Sequence, residues 1–176
     1  MKFAHITTGT YDYLFRIFRR VQTPGKILFM YSEEEALLYQ ESEGKSIFAA
    51  PRSYHIMESS GTLSDKGFCA IHYVAVNVES RPLFERKLME RPKSLEASRG
   101  FQALRALRPL KGDLYAILHI WENESAYERW YETGDSLLKI IAGVGWPASL
   151  FMNYPTSKFR KCYRIGPKEE EREKEN

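Results

Sequence analysis

The sequence predicts one α+β domain, and three observations predict it. Runs rich in β-branched and aromatic residues alternate with segments of helical periodicity. The strand-helix-strand order begins at the N-terminus and restarts near the middle of the chain. A length of 176 residues, 43% hydrophobic and 28% charged, suits one globular core or two small halves that share it.

Lys2–Thr8 reads as a short strand that ends at Gly9-Thr10. Thr10 can cap a helix in which Leu14, Ile17, Phe18 and Val21 recur at helical spacing, and Pro24-Gly25 stops it. Three β-rich runs follow, at Ile27–Tyr31, Ala36–Gln40 and Ser46–Ala49, with a turn at Gly44. Pro51–Met57 reads as a weak helical turn. Phe68–Val78 (FCAIHYVAVNV) is a clear strand. Pro82 suits the first turn of a helix over Leu83–Arg91, and Pro92 ends it. Strands are predicted at Phe101–Leu107 and Leu114–Trp121, joined by the turn at Lys111-Gly112-Asp113. Asn123 or Ser125 caps a helix that carries Ala126, Tyr127, Trp130 and Tyr131. Lys158–Ile165 is the last strand, and the acidic tail from Gly166 reads as disordered.

The order β-α-β-β-α-β over Phe68–Ile165 is a ferredoxin-like arrangement. Such a sheet has helices on one face and leaves its other apolar face to be covered. Residues 1–66 offer a unit of their own that can cover it. The expected organisation is an N-terminal half over 1–66, a second half over 67–165 and a tail over 166–176. Together these make a pseudo-dimeric barrel in a monomer.

Net charge is +3, and the last eleven residues carry five Glu against three basic residues, which leaves a mildly basic body. No basic run interleaved with aromatics supports nucleic-acid binding; Arg16, Arg19 and Arg20 read as a solvated helix face. Cys69 and Cys162 lie outside any metal-ligand spacing, so zinc is not expected and two buried free thiols are. No stretch approaches a membrane span, and the N-terminus lacks a signal-peptide core, so a cytoplasmic protein is expected.

The stretch from Gly100 to Leu110 (GFQALRALRPL), followed by Tyr115, Ile117, Leu118, Trp121-Glu122 and Ala126 to Trp130, resembles the antibiotic-biosynthesis-monooxygenase (ABM) superfamily. Within it, the likeness is to the haem-degrading monooxygenases of the HmoB type and to signal transduction proteins of the TRAP type. Thr8-Gly9-Thr10 with Leu14 resembles both groups, and Arg81 to Glu85 the former. The resemblance implies a ferredoxin-like dimeric α/β-barrel. It also implies a haem pocket with a helical His on iron, a Trp that distorts the porphyrin and an Asn that holds dioxygen. Trp121 matches the Trp; the His position falls on Ile140 and the Asn position on Tyr73. An Ile cannot ligate iron, and axial ligand and distal donor decide what iron does with oxygen. The reading is a barrel that binds haem or another flat aromatic ligand, with the oxygenase chemistry undercut at two positions. The alternative is a non-catalytic TRAP-like signalling protein.

Each candidate residue carries two readings. Trp121 is a pocket wall or a core aromatic. His119, two residues earlier on the same strand face, is a substitute axial metal ligand or a hydrogen-bonded core histidine. Tyr73 donates to or ligates a bound group, or packs on the sheet. His72 faces the other side of that strand, away from the expected pocket. Nothing marks His5 or His55. Trp146, in a Gly- and Pro-rich segment, is a lid or a loop anchor.

Overall fold

Eight antiparallel strands close into a barrel in the computed structural model, which describes residues 2–21, 27–143 and 158–174. The elements are β1 (Phe3–Gly9), α1 (Tyr11–Arg20), β2 (Ile27–Tyr31), β3 (Ala36–Ser42), β4 (Arg52–Gly61), β5 (Gly67–Ala75), α2 (Arg81–Glu90), β6 (Phe101–Pro109), β7 (Leu114–Trp121), α3 (Glu124–Glu132), α4 (Ser136–Gly143), β8 (Lys158–Ile165) and α5 (Glu169–Glu173). Around the barrel they run β1-β3-β2-β8-β5-β7-β6-β4. Each half contributes four adjacent strands with the same internal order, β4-β1-β3-β2 and β8-β5-β7-β6. The pseudo-dimeric barrel expected from the sequence is therefore the fold. The ladders β4·β6 and β2·β8 seal the halves, the second through Met30↔Ile165 and Tyr31↔Arg164.

Alternation along each strand sorts side chains into two layers. Ile6, Met30, Leu37, Tyr39, Cys69, Ile71, Tyr73, Leu118 and Ile120 fill the barrel interior. Phe68, Val74, Ile117 and Trp121 point outward and are covered by Phe84, Leu88, Tyr127, Trp130 and Leu137 from the helices. A smaller outer layer packs Leu14 and Phe15 of α1 on Phe29 and Leu38. β5 is buried on both faces, which is why it reads as an unbroken apolar run.

Three expectations change. Ser46–Ala49 is not a strand: the Gln40 side chain accepts hydrogen bonds from Ser46 Oγ (3.0 Å) and the Ile47 amide (3.2 Å), which turns the chain away from the ladder. Pro51–Met57 is not a helical turn: Arg52–Gly61 is a strand, paired with β1 on one side and β6 on the other. The tail is not featureless, since α5 forms within it. The amide of Lys168 donates to the Tyr11 hydroxyl (3.0 Å), and its ammonium sits 4.5 Å from the centre of that ring.

Cys69 is buried as expected, whereas Cys162 is only half-buried on the outer face of β8. No helix among the described residues is long and apolar enough to cross a membrane.

Candidate functional site

The candidate residues converge where α3 and α4 cover β5 and β7. Asn123 starts α3 by accepting from the Ala126 amide (2.9 Å), which satisfies an otherwise unpaired first-turn donor. Gly100 lets α3 sit close. It has φ +87°, and a Cβ there would come within 2.5 Å of Ala126 Cβ. Tyr127 and Trp130 are thereby laid against β7. The ring of His119 stacks on Tyr127 (centroids 5.8 Å) and meets Trp130 edge-on (4.9 Å).

A directed hydrogen-bond chain runs through this layer. Trp121 Nε1 donates to His119 Nδ1 (2.7 Å), and His119 Nε2 lies 2.9 Å from His72 Nε2. An indole N–H can only donate, so His119 Nδ1 accepts and the neutral ring keeps its proton on Nε2. That proton goes to His72 Nε2, which places the proton of His72 on Nδ1. His72 Nδ1 has no hydrogen-bond partner among the described residues. Burial, with Arg160 adding to it, holds His72 down to about 4; burial, with His72, Arg160 and Arg91 adding to it, holds His119 well below the usual range. Both rings are neutral at neutral pH.

Of the predicted site residues, the structure brings together Trp121, His119 and Ile140, which packs partly buried against the same layer. It separates Tyr73 from them. Tyr73 points into the barrel, stacked on Phe159 (4.9 Å) with the Arg52 guanidinium 5.3 Å from its ring centre. Its burial pushes the phenol up, against a tyrosinate. Placing Tyr73 on the pocket face is thus corrected, because odd-numbered residues of β5 face inward while odd-numbered residues of β7 face the helices at His119 and Trp121. His72, set outside the pocket by the sequence reading, is the residue of β5 that joins the cluster. It pairs with Ile117 and so lies diagonal to His119. Arg160 was also missed. It is opposite His72 on β8, and its guanidinium lies 4.3 Å from the Tyr131 ring centre and 5.7 Å from that of Tyr127. Only the register between strands distant in sequence could have revealed either residue. Trp146 lies outside the described residues.

Residues 67–137, the stretch that builds β5 to β7 with α2 and α3, match the antibiotic biosynthesis monooxygenase family. Over that stretch the chain is similar to this family. Across a longer span the chain is 28% identical to the signal transduction protein TRAP of Staphylococcus epidermidis, over 161 residues that cover 86% of this chain and 95% of that one. It is 26% identical to a haem-degrading monooxygenase of Listeria monocytogenes, over 130 residues that cover 74% of this chain and 77% of the relative. A ferredoxin-fold protein from L. monocytogenes related to antibiotic biosynthesis monooxygenases superposes with a TM-score of 0.79 at 24% identity, covering 96% and 95% of the two chains.

The residues of this site do not fit haem held through its iron. Ile140 has no donor atom. Both nitrogens of His119 are committed, one lone pair to Trp121 and the other position to the proton given to His72. His119 stands here as the hydrogen-bonded core histidine of the two sequence readings, and ligating a metal would require the chain of hydrogen bonds to break inside a buried layer. Trp121 is fully buried and closed in by Phe101, Tyr127 and Trp130 rather than lining open space. An aromatic side chain of this kind buries roughly 200 Å2, so exposing it costs on the order of 5 kcal/mol. Trp121 therefore stays a core residue.

Proposed function

We propose that this ABM-domain chain is a ligand-binding barrel without oxygenase activity, whose ligand is flat and aromatic, with haem as the reference case. The observation that carries the reading is the committed state of His119. The one histidine able to replace the missing axial ligand at Ile140 has no lone pair to offer, and the tyrosine at the distal position lies inside the barrel. Support for a flat ligand is the aromatic surface around the cluster, where Tyr131 is 43% exposed beneath Arg160. We read the protein as cytoplasmic and monomeric.

The test is a titration of the purified protein with hemin, followed by tryptophan quenching and the Soret band, then ascorbate in air. Saturable quenching with a Soret band that persists for hours is expected. A Soret band that decays with release of iron would overturn the non-oxygenase reading.

A second reading is favoured by one observation: the TRAP relative aligns over 95% of its own length, well beyond the ABM domain. In that reading the barrel is a signal transduction module of the TRAP type that binds no porphyrin. Absence of saturable quenching by hemin would select it.

A further inference from the structure

We infer that the outer face of β5 and β8 beside α3 holds a flat aromatic ligand by its anionic oxygens, through the Nδ1–H of His72 and the guanidinium of Arg160, with Trp121 and His119 as positioning residues. This rests on the ligand-binding reading above and names what the site recognises.

The argument starts at Trp121. Because its N–H can only donate, each step of the chain has one direction, and the last ring must present a donor at its free nitrogen. His72 is 5% exposed, so what remains accessible of its ring is small. Trp130 Nε1 in the same layer is enclosed and unpaired, whereas His72 Nδ1, with no partner among the described residues, is not enclosed and can be reached from outside. Directly across the ladder stands Arg160, exposed and stacked over two tyrosine rings. Among the described residues no carboxylate lies within salt-bridge distance of it. Glu33 and Glu34 line the adjoining cleft with Arg160, and Glu35 there is taken by the Tyr163 hydroxyl (2.7 Å) and Lys161 (2.8 Å). A fixed N–H donor next to a planar cation matches a carboxylate or phenolate oxygen. The exposed Tyr131 ring offers a surface for a flat ring. Neither His72 nor Arg160 offers a lone pair to a metal, so the ligand is held by its acceptors and not by an iron atom.

The probes are metal-free protoporphyrin IX, which carries two carboxylates, its dimethyl ester, and hemin, each titrated into the full chain by tryptophan quenching. The free acid should bind about as well as hemin and about tenfold or more tighter than the ester, the size of one charge-assisted contact. Arg160→Gln, an exposed change, should weaken the acid by a similar factor and leave the ester unaltered. Long-range 1H–15N spectra should show His72 as the Nδ1–H tautomer, and Trp121→Phe should release it while Arg160→Gln does not. Should Trp121→Phe fail to fold, the wild-type tautomer decides. Hemin binding without binding of the free acid, or equal binding of acid and ester, overturns this inference and leaves the ligand-binding reading standing. An Nε2–H tautomer at His72 overturns the positioning role. If none of the three probes binds, both readings fall together.

Discussion

At the residue scale, the buried pair His72 and His119 makes the folded state avoid protons. A free histidine titrates near 6.5, while His72 is held down to about 4. A group with a depressed folded pKa stabilises nothing extra above 6.5. Below it the unfolded chain takes up the proton first, so stability falls until the folded ring also titrates. The interval from 6.5 to about 4 corresponds to roughly 3 kcal/mol for His72 alone. Glu35, Glu85 and Glu96 are also lowered, and their losses begin below about 4.5, so the window from pH 6.5 to 4.5 reports histidine. Urea midpoints should fall steeply across that window in the wild type and less steeply in His72→Phe. Equal slopes would show that His72 is not held neutral by the fold.

At the element scale, α3 is the part that assembles the site. Its register on β7 depends on the cap at Asn123 and on the missing side chain at Gly100. Asn123→Ala should cost about 1 kcal/mol by urea unfolding, and Asn123→Ser should restore most of it. An alanine variant as stable as the wild type would mean that packing of Tyr127 and Trp130 alone sets the helix. The same scale explains which elements were legible. Ile27–Tyr31, Leu114–Trp121 and Lys158–Ile165 match their predicted limits because β-branched and aromatic residues crowd them. β4 was missed because Arg52–Gly61 is largely polar and half-exposed, with Arg91 and Lys93 paired to its Glu58. Its strand identity comes from two flanking ladders, a tertiary fact that local composition does not carry.

At the scale of the whole molecule, the first half does the work that a second copy does in a dimeric barrel. Its four strands cover the inner face of the second sheet, and among the described residues no inner apolar surface is left for another subunit. Gel filtration should therefore give the volume of one 176-residue chain at micromolar concentration. A tight dimer would show that an outer face, and not the barrel interior, still needs covering.

The sequence by itself determined the duplicated α/β pattern, most strand and helix limits, and a helix start at Asn123 or Ser125 that the structure assigns to Asn123. These are local matters of periodicity, turn chemistry and side-chain type, each readable within a few residues. Only the tertiary structure decided which face each histidine occupies. Strand parity on β5 and β7 relates Tyr73 and His72 to His119 through a ladder between segments over forty residues apart. A shift of one residue in that register would exchange the two, because side chains alternate across a sheet. The proton on His72 follows in turn from Trp121, two hydrogen bonds away, and no spacing along the chain encodes that direction.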